Sequence, residues 1–220
     1  MELSSCGKSE KREAHRSCDL ALIVENCTAN IKLNYSYYVD RVVFMTLRGL
    51  YVGRFQPFHL GHLHAVKYVL SQVEEVVIVI GSAQYSHQLD NPFTAGERVT
   101  MVREALGEAE VPSSKYWIIP VRDMHVHMMW VAEVRGYTPE FEPVYSNEPL
   151  TRRLFTEAGF SVKSIPFNKR HLYLATEIRE RMLRNDSWTE FVPKGVVAYI
   201  RQIDGIGRLR DLAQTDKAQP

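Results

Sequence analysis

The 220-residue sequence has few cysteines, no excess of charge of either sign and no long apolar run. Its three cysteines, Cys6, Cys18 and Cys27, all lie near the start and form no C-x-x-C pair. An odd number without paired spacing argues against a disulfide framework or a cysteine metal site, and it indicates an intracellular protein with free thiols. We therefore expect a cytoplasmic location.

The balanced charge and the short apolar runs exclude further classes. With 27 basic and 26 acidic residues the net charge is +1, so no binding to nucleic acid or to an anionic membrane is predicted. The run Ala21–Val24 is too short for a signal-peptide core, and no stretch approaches the ~20 apolar residues that a membrane helix needs. The apolar share of 45% is still sufficient for a folded core.

The first part of the chain differs from the rest. Residues 1–46 carry all the cysteines and show no clean hydrophobic period, although their composition allows a helix around Ala14–Glu25 and a strand around Tyr38–Phe44. We predict an N-terminal extension at 1–46, a main domain at 47–212 and a C-terminal tail at 213–220. Two interpretations of the extension stay open: a disordered or loosely attached tail, which we favour, or an added element at a subunit contact.

From Arg48 onward, patterns typical of strands and helices alternate. The strands are predicted at Gly49–Val52, Glu75–Ile80, Tyr116–Val121, Phe141–Tyr145 and Ser161–Ile165. The helices are predicted at Leu60–Gln72, from Ala95 to Leu106, and at Met128–Arg135, Pro149–Ala158, Thr176–Arg184 and Pro193–Ile203. This alternation predicts an α/β fold, a doubly wound, Rossmann-like sheet of about five parallel strands with C-terminal helices. Ligands of such sheets bind beyond the carboxyl ends of the strands.

The most informative stretch is the turn after the first predicted strand, GRFQPFHLGH at Gly53–His62. It brings Arg54, His59 and His62 to the start of a helix, where backbone N–H groups and the helix dipole favour an anion. A metal site would need a third ligand and usually an i, i+4 spacing of the histidines. We therefore interpret the turn as a binding site for a polyphosphate.

A second feature lies near the other end of the chain. Thr176 and Arg179 stand three residues apart at the start of a predicted helix, so they can point the same way. Alone, such a pair is better explained as a helix cap with a solvated arginine. Beside the histidine turn, it indicates a second group of contacts to the same phosphates.

The two motifs, GRFQPFHLGH and TEIR, resemble those of the HxGH nucleotidylyltransferases. The stretches GSAQYSHQLDNPFTAGER and IPVRDMHVHMMWVAEV are similar to the archaeal type of nicotinamide-nucleotide adenylyltransferase, and the resemblance runs from about Leu47 to Leu212. It implies transfer of AMP from ATP to nicotinamide mononucleotide by direct in-line attack, giving NAD and pyrophosphate. It also implies Mg²⁺ on the phosphates, no metal ligand from protein side chains, and a homohexamer.

The resemblance further implies roles for individual residues. Catalysis is expected to depend on His59, His62, Arg54 and Arg179. ATP is expected to contact Gly53, Arg54, Phe55, His59, His62, Asn147, Thr176 and Arg179. The acceptor is expected near Ser82, Gln84, Ser86, Asn91, Arg98, Asp123, Met124, His127 and Trp130. Arg98 is also expected to face the phosphates. Trp130 is expected to stack on the nicotinamide ring, although without the resemblance a core aromatic residue is an equally good interpretation.

Three positions depart from the pattern of the family. Leu174 replaces a small hydroxyl residue, Glu148 replaces an asparagine before Pro149, and His127 replaces an asparagine near the tryptophan. These departures keep two alternatives open: transfer to another phosphate acceptor such as FMN or phosphopantetheine, and a non-catalytic nucleotide-binding regulatory module. A fragment of a class I tRNA synthetase is disfavoured, because the sequence has no lysine-rich second motif.

Overall fold

The computed structural model of the protein describes residues 46–166 and 173–214. Its strands are β1 Arg48–Gly53, β2 Glu75–Ile80, β3 Tyr116–Pro120, β4 Val144–Tyr145 and β5 Val162–Lys163. Its helices are α1 Leu60–Leu70, α2 Ala95–Glu108, α3 His127–Tyr137, α4 Pro149–Glu157, α5 Ala175–Arg184, α6 Lys194–Gln202 and α7 Gly205–Ala213. Short 3₁₀ turns lie at Ser113–Lys115 and Thr189–Phe191.

The five strands form one parallel sheet with the order β3-β2-β1-β4-β5. The chain adds β2 and β3 on one side of β1, then crosses over and adds β4 and β5 on the other side. The predicted doubly wound parallel sheet is thereby confirmed. Because the direction of winding reverses between β1 and β4, the ligand-binding crevice of such a sheet lies beyond the carboxyl ends of these strands.

Strand β2 shows why the apolar run folds in this way. Val76, Ile78 and Ile80 belong to one core cluster and Val77 and Val79 to another, and all five are fully buried. Successive side chains of a strand point to opposite faces, so β2 contributes to the core on both sides of the sheet. The first cluster contains residues of α1, α2, α5, α6 and α7, and the second contains residues of α3 and α4.

Two details differ from the sequence-based expectations. Strands β4 and β5 have two residues each, shorter than predicted, and Pro143 before β4 has no N–H with which to continue a ladder. Helix α7 was not predicted, because Gly205 and Gly207 at its start are typical of a loop. Asp204, in the left-handed region at φ 49°, starts this helix by accepting a hydrogen bond from the Gly207 N–H.

Other expectations fall on residues that the structure does not describe. These are the possible helix at 14–25, the possible strand at 38–44, and nearly all of the extension 1–46 and the tail 213–220. Within the described ranges, no helix is long and apolar enough to cross a membrane.

Candidate active site

Helix α1 begins with a reciprocal cap formed by two histidines. His59 is the N-cap, and its Nδ1 accepts the His62 N–H at 3.3 Å, while the Nδ1 of His62 accepts the His59 N–H at 3.3 Å. The two imidazole rings stack with their centroids 3.6 Å apart and their planes 17° apart. The H-x-x-H spacing therefore allows the two histidines to form a capping box, the motif that Ser and Glu usually form.

This cap determines the protonation of both rings. A neutral imidazole has one donor and one acceptor nitrogen, and both Nδ1 atoms are acceptors here, so each proton resides on Nε2. Burial lowers the pKa of His59 to about 3, and burial together with the neighbouring His59 lowers the pKa of His62 well below its ordinary value. The pair is thus neutral at pH 7, with an Nε2–H on each ring to donate to an anion.

The turn before the cap is held in an uncommon conformation. Phe55 adopts a left-handed backbone with φ 53°, and its buried ring packs edge-on against His62, with the centroids 4.8 Å apart. A Cβ on Gly53 would lie only 2.6 Å from the Phe55 ring, so this position requires glycine. Gly53 and Phe55, predicted as ATP-binding residues, lie at the carboxyl end of β1 beside the histidine pair.

The start of α5 lies against the same turn. Arg179 is 8% exposed, and its Nη1 donates to the Gln56 carbonyl at 2.8 Å. The Tyr173 ring stacks with the His59 ring at 6.4 Å between centroids, and a Cβ on Gly61 would meet Tyr173 at 2.8 Å. The histidine turn and the start of the helix with the distant TEIR motif therefore lie against each other, as the sequence predicts, and the region that they border beyond β1 is termed the cleft.

Within the described part of the chain, the helix of the TEIR motif begins without a side-chain cap. Its N-cap is Leu174, which makes no capping hydrogen bond and is 45% exposed, and Thr176 follows in the first turn with an exposed side chain. The departure at Leu174 therefore leaves the first N–H groups of α5 without a side-chain acceptor from the N-cap. Such N–H groups are suited to phosphate oxygens.

Two arginines and one aspartate give this cleft its charge. The Arg54 guanidinium lies 3.7 Å from Asp90 on the loop after β2, and both side chains are more than half exposed. Burial lowers the pKa of Arg179, the neighbouring positive charge of Arg54 lowers it further, and Asp90 raises it. Arg54 and Arg179 thus repel each other across the cleft, and an anion bound between them would relieve that repulsion.

The loop after β2 is tied to the loop after β3. The Ser82 N–H donates to Asp123 Oδ1 at 3.1 Å, and the Asp123 N–H donates to Gln84 Oε1 at 2.9 Å. Ser82 has a left-handed backbone with φ 51°. Three predicted acceptor-binding residues are therefore together at this edge of the sheet, and the hydrogen bonds between them join the two loops.

Arg98 is placed beneath the loop after β2 and has its own set of partners. Its side chain is fully buried, and each of its five hydrogen bonds goes to a backbone carbonyl. The sequence predicts that Arg98 faces the phosphates. In the structure all five N–H groups of its guanidinium are already engaged, so a direct phosphate contact would require the loss of one of these bonds.

Trp130 lies mostly in the core. It is 8% exposed, its ring meets Phe155 edge-on at 5.9 Å, and its Nε1–H donates to the Arg122 carbonyl at 3.1 Å. These contacts match the alternative of a core aromatic residue on α3. Stacking of Trp130 on a ligand ring stays a prediction.

The residues after β4 are also engaged in the fold. The Asn147 side chain donates to the Ile165 carbonyl at 2.7 Å and accepts the Ile165 N–H at 3.0 Å, which joins the segments after β4 and β5. The carboxylate of Glu148 accepts the N–H groups of Leu150 and Thr151 at the start of α4. Glu148, which departs from the family pattern, therefore caps helix α4. The N–H groups at the start of this helix stabilise the negative charge of its carboxylate.

Further predicted acceptor residues vary in their exposure. Ser86 Oγ lies 2.9 Å from the His87 ring, Met124 is partly buried and His127 is exposed. Asn91 is 4% exposed, and its Oδ1 is buried without a hydrogen-bond partner among the residues that the structure describes. Contacts of all these residues with an acceptor stay predictions.

Three residues at the cleft were not predicted from the sequence. Gln56 bridges two loops, since its amide accepts the Phe93 N–H and donates to the Phe93 carbonyl, both at 2.9 Å. Asp90 pairs with Arg54, and Tyr173 packs beside His59. Their partners lie elsewhere along the chain, and nothing in the local pattern around each residue indicates them.

Comparison with known proteins agrees with this geometry. The family model described as cytidylyltransferase-like matches residues 50–181. The chain belongs to the cytidylyltransferase-like family. Its match to this family includes the histidine turn, the loops after β2, β3 and β4, and the TEIR motif.

Curated relatives of this family member share nearly half of its residues. A protein of Saccharolobus solfataricus named nicotinamide-nucleotide adenylyltransferase is 48% identical over 170 residues, which is 77% of this chain and 99% of the relative. A protein of the same name from Archaeoglobus fulgidus is 49% identical over 173 residues, again 77% and 99% of the two chains. The chain therefore belongs to the nicotinamide-nucleotide adenylyltransferases, and the resemblance to their archaeal type is confirmed.

Solved structures agree in fold. A bifunctional NMN adenylyltransferase/ADP ribose pyrophosphatase of Francisella tularensis, complexed with AMP and a manganese ion, matches with a TM-score of 0.66 at 23% identity. The match covers 76% of this chain and 52% of that one, so this chain spans about half of that protein. The NadR protein, in complex with NAD and AMP-PNP, matches with a TM-score of 0.53 at 18% identity.

Proposed function

We propose that the protein is a nicotinamide-nucleotide adenylyltransferase, which transfers AMP from ATP to nicotinamide mononucleotide and releases pyrophosphate. The names of the curated relatives supply the reaction, and one observation supports it in this chain. The neutral histidine pair, Arg54 and the buried Arg179 border a single cleft beyond the carboxyl end of β1. A triphosphate matches these donors and positive charges.

The reaction is an in-line displacement at the α-phosphorus of ATP. A phosphate oxygen of the mononucleotide forms the new bond to this phosphorus, the bond to the bridging oxygen of the β-phosphate breaks, and pyrophosphate leaves with the electron pair. The attacking phosphate is already anionic at pH 7, so the step requires positioning and charge stabilisation more than a strong base. The Nε2–H groups of His59 and His62 donate to the oxygens on which charge accumulates.

Other features of the proposal come from the resemblance and from phosphate chemistry. Mg²⁺ would be carried by the phosphate oxygens, which are its preferred kind of ligand. Among the described residues, no group of three or more His, Cys, Asp or Glu side chains is arranged to hold a metal. A homohexamer and a cytoplasmic location also belong to the proposal.

The test is to incubate the purified full chain with ATP, Mg²⁺ and one acceptor at a time, and to follow both pyrophosphate and dinucleotide. We expect NAD and pyrophosphate in equal amounts with nicotinamide mononucleotide. Turnover with FMN or phosphopantetheine but not with nicotinamide mononucleotide would contradict the proposed acceptor. Binding of ATP without any pyrophosphate release would support the non-catalytic alternative.

A further inference from the structure

The fully buried Arg98 is an unusual feature of the molecule. It lies on α2, and none of its hydrogen-bond partners among the described residues is a carboxylate. Burial of a guanidinium is costly. Burial and the charge of Arg54 lower the pKa of Arg98, the charges of Asp123 and Glu97 raise it only in part, and the result is a pKa of about 10. A charge in such a position is retained only where its hydrogen bonds are well satisfied, so its partners indicate its role.

The partners are carbonyl oxygens of three separate segments. Nη1 donates to Gly81 at 2.9 Å and to Arg54 at 3.1 Å. Nη2 donates to Ser82 at 3.1 Å and to Tyr85 at 3.4 Å, and Nε donates to Thr94 at 3.2 Å. One planar group thus joins the turn after β1, the loop after β2 and the first residue of the α2 cap.

The consequence is greatest for the loop after β2. This loop supplies three of the five carbonyl oxygens that accept hydrogen bonds from Arg98. Ser82 in the loop also donates its N–H to Asp123 after β3, so the two loops are held together. The turn after β1, by contrast, has the histidine cap, the Gln56 bridge and Arg179 as further supports. Loss of the guanidinium should therefore disturb the acceptor side of the cleft more than the ATP side.

We propose that Arg98 is a positioning residue that fixes the loop Gly81–Tyr85 and, through Ser82 and Asp123, the acceptor-binding edge of the cleft. This inference rests on the proposed function for its kinetic consequence, but its structural part holds independently. In this proposal Arg98 does not bind the phosphates directly. It acts through its hydrogen bonds to the backbone carbonyls of the loop. The loop is accordingly in place before any acceptor binds.

Arg98→Lys is the main test, because an ammonium group keeps the charge but has only three N–H donors for five carbonyls. We expect the KM for the acceptor to rise roughly tenfold or more, while the KM for ATP changes by less than about threefold. Amides of the loop at 81–86 and of the segment 122–124 should exchange hydrogen faster than in the wild type. Equal changes in both KM values, or unchanged exchange in these two segments, would overturn the proposal.

Arg48→Lys is the matched control. Arg48 also loses an Nε hydrogen bond, to Glu75, but it lies at the amino end of β1, away from the cleft. We expect some loss of stability with both KM values unchanged. If Arg48→Lys reproduced the acceptor defect, general destabilisation would explain Arg98→Lys and the proposal would fail.

Hydrogen exchange of the wild type decides the matter if Arg98→Lys does not fold. Without acceptor, amides of the loop should already be protected, because Arg98 fixes the loop in the conformation in which the N–H groups of Gly81, Ser82 and Ala83 are hydrogen-bonded. Exchange at the rate of an unstructured peptide there would contradict the proposal. If the wild type formed no NAD but showed the protected loop, the proposed function would fail while the structural role of Arg98 stood.

Discussion

The two sides of the cleft are built in different ways. On the ATP side, the reciprocal cap of His59 and His62 is closed within four consecutive residues. On the acceptor side, the loop after β2 is held by Arg98, Asp123 and Gln56, whose partners lie between 13 and 41 positions away in the sequence. The first side is determined locally, and the second depends on the completed fold.

The largest effect is expected on the locally determined side. His62→Ala should lower kcat roughly a hundredfold or more, because the Nε2–H stabilises charge that develops in the transition state. The protein should still fold, since the backbone N–H of residue 62 keeps its cap on His59 Nδ1. Steady-state kinetics and thermal unfolding check both points.

His64→Ala is the control for this change. His64 is exposed on the same helix and should leave kcat within about threefold of the wild type. A normal rate for a well-folded His62→Ala protein would show that the histidine pair does not act on the reacting phosphates.

The second prediction concerns the bridge between the two sides. Gln56→Leu leaves the buried N–H and C=O of Phe93 without the amide partner, which should lower the free energy of unfolding by about 2–4 kcal/mol. Urea unfolding measures this loss. Gln72→Leu, at an exposed glutamine, should change it by less than about 0.5 kcal/mol. Equal effects of the two changes would mean that the bridge contributes nothing.

The third prediction is a pH dependence of stability that the histidine pair introduces. Both pKa values lie below 6.5 in the folded protein, so the unfolded chain takes up protons first as the pH falls. The contribution of the histidine pair to the free energy of unfolding is complete above about pH 6.5. It is lost as the pH falls toward the folded pKa of about 3, at up to about 1.4 kcal/mol per pH unit for each histidine.

Urea unfolding between about pH 7.5 and 5 measures this slope above the range where most carboxylates titrate. The double change His59→Gln and His62→Gln should flatten the slope. A wild-type stability that is constant over this range would contradict the neutral state of the pair.

The smallest effect is expected at the start of α5. Leu174→Ser supplies the missing N-cap and should stabilise the protein by about 0.5–1 kcal/mol in urea unfolding. Leu150→Ser is the control, because Leu150 is similarly exposed, at 46% against 45%, but is not a cap. If both substitutions had the same effect, a general gain from removing an exposed leucine would explain the result.

This contrast also explains what the sequence can predict. The strand β2, the turn at His59 and the helix of the TEIR motif were predictable, because each depends on residues close together in the chain. The roles of Arg98, Asn147 and Gln56 were not, because their partners are backbone groups brought near only by the sheet. The same limit applies to Trp130, since a helical pattern does not distinguish a core contact from a ligand contact.

Helix α7 shows a different limit. Its two early glycines favour a loop, and propensity alone gives no reason for a helix there. In the fold, Arg208 of α7 forms a bidentate pair with Glu97 of α2 at 2.7 and 2.8 Å, and Leu209 is fully buried. Tertiary contacts therefore outweigh a poor local signal.

A crystal structure of the full chain with a non-hydrolysable ATP analogue and Mg²⁺ tests the central claim most directly. The account predicts density for the triphosphate between the Nε2 atoms of the two imidazoles and the Arg179 guanidinium, beyond the end of β1. A triphosphate bound elsewhere, with this cleft filled only by water, would contradict it.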